Sequence, residues 1–170
     1  MADTAGNVAI VRSADGFCSV SGRVYRAIFA SDQDHVLSGS ARPGRFTPPG
    51  CRTLYTSTTA AGTLVALKPY RRPDDPERIV IGLEVDAHHV CDLRDAENCE
   101  RLGFDARQAA LPWREASASG SQPPAWAIVK RLMAMGVNGV LDPSRTQPDL
   151  VHLALFRWNM PGAPSVAVAG

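Results

Sequence analysis

The chain has 170 residues, a length that suits one domain with a sizeable hydrophobic core. Hydrophobic residues make up 45% of the sequence and charged residues 21%, which is typical of a soluble globular protein. The 18 Lys and Arg nearly balance the 17 Asp and Glu, which argues against a broad nucleic-acid-binding surface. No apolar run approaches the ~20 residues that span a bilayer, and the N-terminus lacks the features of a signal peptide. We therefore expect a cytoplasmic protein that contacts neither nucleic acid nor a membrane directly.

The first half of the chain is predicted to contain two strands around a long loop. Residues 1–21 form an N-terminal arm in this prediction, ahead of a domain that spans residues 22–170. Residues 24–30 are rich in β-branched and aromatic side chains, which favours a strand. The Gly- and Pro-rich residues 31–50 form a loop, and a loop of that length is uncommon in a compact domain unless it is functional or disordered. A second short strand is predicted at 52–57.

The remaining elements are predicted from helix-capping residues, from the alternation of apolar residues along strands, and from helix-breaking residues. Hydroxyl side chains at 57–59 can cap a helix over 60–68, which Pro69 ends. The clearest strand is 78–87, because apolar and other residues alternate along it. Further along we predict short helices at 95–102 and 105–113, a flexible loop at 116–124, a helix at 124–135, strands at 137–141 and 150–158, and an edge pairing for 165–169. We find no internal repeat and no second domain.

Metal binding and several common enzyme classes are not indicated. His88, His89 and Cys91 lie together, but adjacent residues on a strand face opposite sides, so only His89 and Cys91 could share a face. No second ligand pair is near, and we predict no metal site. Cys99 and His152 could form a nucleophile–base pair in principle, but nothing around them distinguishes them. Phosphate-binding P-loop, dinucleotide, zincin and nucleophile-elbow motifs are absent.

The arginines of the first half suggest an anion site. Arg26 lies mid-strand among apolar residues, where an unpaired guanidinium is costly to bury. Its partner is therefore either a carboxylate such as Glu84 or Asp86, which the residues alone favour, or a bound anion. Arg42 and Arg45, in the Gly/Pro loop, are either solvated charges or clamps for phosphate, whose geometry fits the guanidinium fork.

Two further residues have open roles. Tyr55 is either a core aromatic, which its spacing favours, or a stacking platform. Ser144 is either a turn residue or a hydroxyl that faces a pocket. Two guanidiniums and a phenol brought together by a tight turn could hold a doubly charged phosphate ligand.

The order of these segments resembles the RES domain, a bacterial family named for its Arg, Glu and Ser. The matching segments are V-Y-R-A at 24–27, P-G-R-F-T-P-P-G at 43–50, L-Y-T-S at 54–57 with the helix after it, the strand at 79–85, and G-V-N-G-V-L-D-P-S-R at 136–145 followed by L-A-L-F. The likeness covers about residues 22–158. Each segment is weak alone, but five in the right order are fairly specific.

This resemblance implies a single compact α/β (α+β) domain on antiparallel sheets, related to ADP-ribosyltransferases. It implies the toxin of a toxin–antitoxin pair, which splits its substrate NAD between nicotinamide and ribose. We favour transfer of the ADP-ribose to a defined acceptor, a protein or phosphate, as in a mono-ADP-ribosyltransferase. A glycohydrolase or phosphorylase that depletes NAD is one alternative, and a non-catalytic module that binds NAD or the antitoxin is another. The implied partner is an antitoxin with an Xre-like DNA-binding domain that occludes the pocket.

The resemblance also assigns the site. By motif position, Arg26 and Arg45 hold the NAD phosphates and ribose, Tyr55 faces the nicotinamide–ribose end, and Ser144 completes the pocket. Arg26, Tyr55 and Ser144, together with position 66, make up the implied catalytic set. Position 66 is where the family carries its glutamate.

At that position the chain departs from the family, because it has Ala66. A carboxylate there can bond a ribose hydroxyl and stabilise the positive charge that grows as nicotinamide leaves, whereas alanine can do neither. Three explanations stay open: an introduced inactivating change, a natural member that uses another acid, with Glu84 as the first candidate, or a protein that has lost turnover.

Overall fold

Two long antiparallel strands, β3 (Cys18–Phe29) and β5 (Arg78–Asp92), form the centre of the fold in the computed structural model, which describes residues 2–170. On β5, Leu83 and Val85 are buried while Glu84 between them is exposed. The alternation predicted for this strand is therefore confirmed, and the strand runs five residues further than its predicted end.

Six further strands complete the sheet within the described residues, in the order β1-β2-β3-β4-β7-β6-β5-β8. They are β1 (Ala2–Ala5), β2 (Val8–Arg12), β4 (Leu54–Ser57), β6 (Gly139–Pro143), β7 (Val151–Leu155) and β8 (Ser165–Val168). Since β3 also pairs with β5, the strands β3, β4, β7, β6 and β5 pair in a closed cycle. Among the pairings that the structure describes, β5 with β6 is parallel and the others are antiparallel. The predicted α/β (α+β) domain on mainly antiparallel sheets is confirmed.

The described part of the chain has four α-helices and three short 3₁₀ helices. The α-helices are α1 (Ala60–Leu67), α2 (Ala96–Arg101), α3 (Trp113–Ala118) and α4 (Pro124–Ala134), and the 3₁₀ helices are Ala30–His35, Lys68–Tyr70 and Ala106–Ala110. The helix α1 begins where its caps predict, because the Thr59 hydroxyl accepts a hydrogen bond of 3.0 Å from the Gly62 amide.

Two loop predictions need correction. The flexible loop predicted for 116–124 begins only after α3, whose Arg114, Glu115 and Ala116 are good helix formers. The loop predicted for 31–50 starts inside the 3₁₀ helix Ala30–His35.

Two hydrophobic clusters lie on the two faces of the strands. Apolar side chains of the closed cycle form the first cluster: Val24, Leu54, Leu83, Leu141 and Leu153 are all buried there. The second cluster packs α4 against the other face of the sheet and contains Ile128, Val129, Leu132, Val140 and Ala154. Because successive strand residues face opposite sides, Val140 and Leu141 belong to different clusters.

The residues predicted as an N-terminal arm extend the same sheet. The β1–β2 hairpin pairs with β3 along Val8–Arg12, while Met1 lies outside the described residues. Gly22 has a φ of 126°, and a Cβ there would meet the backbone of Val8 at 3.1 Å. A glycine is therefore required where the hairpin meets β3.

Within residues 2–170, no helix combines the length and the apolar character that crossing a membrane requires.

Candidate functional site

A cavity of about 490 Å³ lies beside the junction of β3 and β4. These strands share one register pairing, between Tyr25 and Ser57, and residues of both strands at this pair and to one side of it line the cavity. The five site residues that the family resemblance assigns, Arg26, Arg45, Tyr55, Ala66 and Ser144, all line it as well. Strand β3, the loop after it, β4, α1 and the β6–β7 connection thus each contribute one of them.

Arg26 is a buried cation without an internal partner. Its Nε and Nη1 atoms are buried and have no hydrogen-bond partner among the described residues. Burial lowers the pKa of this guanidinium from its ordinary value. Arg26 also lines the cavity, and two nitrogens of its guanidinium have no partner.

The internal salt bridge considered for Arg26 is not formed. Glu84 pairs instead with Arg23, whose Nη2 lies 2.8 Å from the Glu84 Oε1. The register explains this, because Arg23 lies opposite Glu84 and Arg26 lies opposite Ile81. Directly opposed residues share one face of a sheet, so residues 84 and 86, at odd spacings from Ile81, point to the other face.

The loop that carries Arg45 is held in place by Tyr55 and α4. The Tyr55 hydroxyl accepts a hydrogen bond of 3.0 Å from the Phe46 amide and shares one of 2.8 Å with the Thr47 hydroxyl. From α4, the Trp126 indole donates to the Gly44 carbonyl at 2.8 Å. This part of the predicted long loop is therefore fixed without regular secondary structure, and its bonds to the phenol fix the position of Tyr55.

Asp142 is a cavity residue that sequence reasoning missed. Its Oδ2 lies 3.7 Å from the Arg45 Nη1, and the two side chains are only 12% and 11% exposed. Burial raises the pKa of Asp142 to about 6, although Arg45 and Arg145 lower it. The sequence signal was its place two residues before Ser144, which puts both side chains on the same face of an extended segment.

His152 lies next to Asp142 across the β6–β7 pair and also lines the cavity. Burial is the main cause that lowers the pKa of this imidazole, and the Arg45 charge lowers it further. It is therefore neutral near pH 7. Cys99, considered with it as a nucleophile–base pair, is not part of the cavity lining.

Ala66 lies at the mouth of the cavity, on an exposed position of α1. Gly62 sets the position of this helix, because a Cβ there would overlap the Ser57 hydroxyl at the end of β4. Glu84, the first candidate for a substitute acid, does not line the cavity and is bonded to Arg23. Among the residues described, Asp142 is the one carboxylate that does.

The cavity lining is strongly positive and carries aromatic residues at its rim. Five arginines line it: Arg26, Arg42, Arg45, Arg78 and Arg145. At the rim, the Trp113 indole donates a hydrogen bond of 3.3 Å to the Tyr70 hydroxyl. This excess of cations over the single carboxylate favours an anionic ligand.

The histidines considered as metal ligands pack elsewhere. His89 adopts a φ of 56°, and its ring centroid lies 4.1 Å from that of Phe17. Residues 2–170 contain no group of three side chains placed to hold a metal ion.

Comparisons with known proteins point to one family. The model of the RES domain matches residues 23–170. Among solved structures, the crystal structure of the M. tuberculosis MbcT–MbcA toxin–antitoxin complex contains a chain that is similar with a TM-score of 0.57 and 17% identity. The alignment covers 92% of this chain and 88% of that chain, and at this identity it shows a shared fold. No curated protein matches the chain.

The hydrogen bonds of the Tyr55 hydroxyl to Phe46 and Thr47 give a stability prediction. Tyr55→Phe should lower the free energy of unfolding by about 1–3 kcal/mol, because the Phe46 amide and the Thr47 hydroxyl lose a shared partner in a largely buried setting. Urea unfolding measures the change. Tyr25→Phe is the matched control, since its hydroxyl accepts an exposed hydrogen bond from Asn7, and it should change stability by at most about 0.5 kcal/mol. Equal losses of unfolding free energy in both variants would show that the hydrogen bonds of Tyr55 to Phe46 and Thr47 do not stabilise the fold.

The raised pKa of Asp142 gives a pH-dependence prediction. The folded protein holds the Asp142 proton up to about pH 6, whereas the unfolded chain releases it near the ordinary value of 3.8. The folded state thus binds more protons within this window, and the contribution of Asp142 to stability falls as pH rises through it. Relative to Asp142→Asn, the parent should lose roughly 2 kcal/mol of unfolding free energy between pH 4 and pH 7.5. Urea unfolding at both pH values tests this, and a difference that stays constant or changes in the opposite direction contradicts it.

Proposed function

Because the chain belongs to the RES-domain family, whose model matches residues 23–170, we propose that it is the toxin of a toxin–antitoxin pair and that its cavity splits NAD between nicotinamide and ribose. The ADP-ribose then passes to a defined acceptor, a protein side chain or phosphate. The observation that carries this proposal is the buried guanidinium of Arg26, which faces the cavity without an internal counter-ion.

A buried guanidinium needs an anion, because an uncompensated charge away from water is costly. A pyrophosphate supplies two negative charges and several acceptor oxygens, and guanidinium groups bind such oxygens in pairs. Arg45 lines the same cavity and has a fixed loop behind it. The two arginines are therefore suited to hold the NAD phosphates from two walls.

The volume and rim of the cavity also suit a dinucleotide. A volume of about 490 Å³ lies within the usual range of ligand pockets, roughly 300–1,000 Å³. Trp113 offers an aromatic surface at the rim on which a base can stack, whereas one face of the Tyr70 ring is covered by the Arg114 guanidinium at 4.1 Å. Ser144 supplies a hydroxyl within the lining, and His152 supplies a neutral imidazole.

In this proposal the protein positions NAD so that nicotinamide can leave before the acceptor attacks. The C1–N bond breaks, the electron pair leaves with nicotinamide, and positive charge grows on the ribose. An acceptor held on the open side then attacks C1. Transfer to water or phosphate, with loss of cellular NAD, is the alternative reaction of the same cavity.

The proposed partner is an antitoxin with an Xre-like DNA-binding domain. The structurally similar chain comes from a complex of a toxin with an antitoxin, which supports a partner of this class for a chain of the same fold. The cavity mouth is accessible at α1, where Leu64 is 55% exposed and Ala66 is also exposed. A protein that covers this mouth would keep NAD out.

A non-catalytic module that binds NAD or the antitoxin is the second candidate function. Ala66 favours it, because the mouth of the cavity lacks the carboxylate that the family carries there. The two candidates differ in turnover and share the binding site.

Arg26→Ala should weaken NAD binding at least 100-fold, since two charge-assisted hydrogen bonds of about 1.5 kcal/mol or more each are lost. Isothermal titration calorimetry measures the affinity. Arg23→Ala is the matched control on the same strand, because Arg23 is bonded to Glu84 outside the cavity, and its affinity should stay within about threefold of the parent. Retained NAD affinity in Arg26→Ala would assign Arg26 a structural role.

Ala66→Glu tests whether the missing carboxylate limits turnover. The substitution is on an exposed helical position and should be tolerated. Nicotinamide release from NAD by the parent and the variant, each purified alone, is the measurement. We expect release by both proteins, with faster release by the variant, because the new carboxylate stabilises positive charge at the ribose.

The other results of this experiment separate the candidates. Release by the variant alone makes the parent an inactive form of the enzyme. NAD binding without release by either protein supports the non-catalytic module. If neither protein binds NAD or releases nicotinamide, the proposed function is wrong.

A further inference from the structure

The inner part of the cavity holds a carboxylate of its own. Asp142 lies on β6, two residues before Ser144, and lines the cavity together with Arg45 and His152. It is the one acidic residue of the lining within the described part of the chain. The strand β6 is buried between β5 and β7, and Asp142 pairs directly with His152 on β7, so the sheet fixes the position of Asp142.

The carboxylate oxygens of Asp142 are free to meet a ligand. Within residues 2–170 no hydrogen bond is donated to them, and the nearest cation, the Arg45 Nη1, lies 3.7 Å away. That distance allows attraction between the charges but is too long for a hydrogen bond. A buried carboxylate with unused acceptor capacity in a substrate-sized cavity is typical of functional sites.

We propose that Asp142 is the catalytic carboxylate of this site, serving in place of the glutamate that the family carries at the position of Ala66. This inference rests on the proposed NAD cleavage. It assigns the reaction's acid–base group to β6 instead of α1, and it explains how a chain with alanine at position 66 can turn over.

The reaction requires two functions of the Asp142 carboxylate. As the C1–N bond breaks, the bonding pair leaves with nicotinamide and the ribose becomes cationic, so an ionised Asp142 stabilises the cation. When an acceptor with an O–H group, such as water, phosphate or a side-chain hydroxyl, forms its bond to C1, its proton passes to the Asp142 carboxylate. The carboxylate ends this turnover protonated and returns the proton to solvent. Electrons and atoms balance without a further reactant.

The surroundings of Asp142 set the pH at which it can act. It is faced by Arg45 from the loop, Arg145 from the β6–β7 connection, and His152 from β7, with Tyr55 on β4 in the same lining. Burial raises its pKa to about 6 against the effect of both arginines. The group is therefore ionised above about pH 6 and still basic enough to take a proton, as a general base near neutral pH requires.

The test compares Asp142→Asn with Glu84→Gln, a matched loss of one carboxylate outside the cavity. We expect Asp142→Asn to lower the kcat for nicotinamide release about 100-fold or more, while its affinity for NAD by calorimetry stays within threefold. Glu84→Gln should keep the kcat of the parent. A kcat of Asp142→Asn within threefold of the parent would overturn the inference and leave the proposed function standing.

A purely structural role for Asp142, in which it only positions Arg45, predicts the opposite effects on NAD affinity and on kcat. Arg45 would lose its counter-ion in Asp142→Asn, so NAD affinity would change while kcat stayed the same. That result also overturns the inference. Conversely, Asp142→Glu should recover part of the kcat lost in Asp142→Asn, because it restores the carboxylate.

The pH profile of the folded parent provides a test that does not depend on the Asn variant. The kcat/KM for nicotinamide release should rise with pH through about 6, because Asp142 must lose its proton to act and kcat/KM follows the ionisation of the free enzyme. Since His152 also lies in the lining, the His152→Gln variant is the control, and the rise should persist in it. A rise that disappears in His152→Gln, or a kcat/KM independent of pH between 5 and 8, would overturn the inference.

Failure of the inference and failure of the proposed function give different results. An Asp142→Asn variant that keeps the parent kcat contradicts the inference alone. A parent that binds NAD but releases no nicotinamide at any pH contradicts both the inference and the proposed cleavage, and supports the non-catalytic module. A parent that neither binds NAD nor releases nicotinamide contradicts the proposed function itself.

Discussion

The guanidinium of Arg26 is buried with its Nε and Nη1 unpaired, and the arrangement of the site follows from that charge. Burying a cation without a partner costs several kcal/mol in an apolar setting. A side chain on a flexible segment would avoid this by turning toward water. Arg26 cannot do so, because β3 pairs with β5 without interruption from Val20 to Phe29 and this pairing fixes the direction of each side chain. The sheet thus keeps a positive charge in place for an anion that comes from outside.

Separate contacts fix the other walls of the cavity. Tyr55 on β4 bonds the loop that carries Arg45, and Trp126 on α4 bonds that loop from the other side. A glycine at position 62 lets α1 sit against Ser57. Phe46 belongs to the second cluster and Tyr55 packs against it, so this part of the core also positions the loop that carries Arg45. This pre-arrangement limits the reorganisation that binding requires.

Local patterns in the sequence predicted the elements well, and pairing between distant segments explains what they missed. Alternation along β5 and the cap at Thr59 are local signals, and both elements form as predicted. The partner of Glu84 depends on the register of β3 against β5, which no local signal contains, so Arg23 could not be chosen over Arg26. Asp142 was missed for the same reason. The predicted strand ended at residue 141, whereas pairing with β7 extends it through Asp142 to Pro143.

The place of a carboxylate in this cavity also decides its chemistry. At position 66 an acid would stand on an exposed helix at the mouth, close to water, where little raises its pKa. Asp142 is largely buried, and burial raises its pKa to about 6 even though Arg45 is near. A phosphate bound by Arg45 would weaken the attraction between Arg45 and the ionised Asp142. The pKa of Asp142 would then rise, and the carboxylate would be a stronger base with the ligand in place. The arginines that hold the anion and the carboxylate that serves the ribose are therefore coupled through one charge pair, Arg45 with Asp142, and the site is best understood as one electrostatic unit.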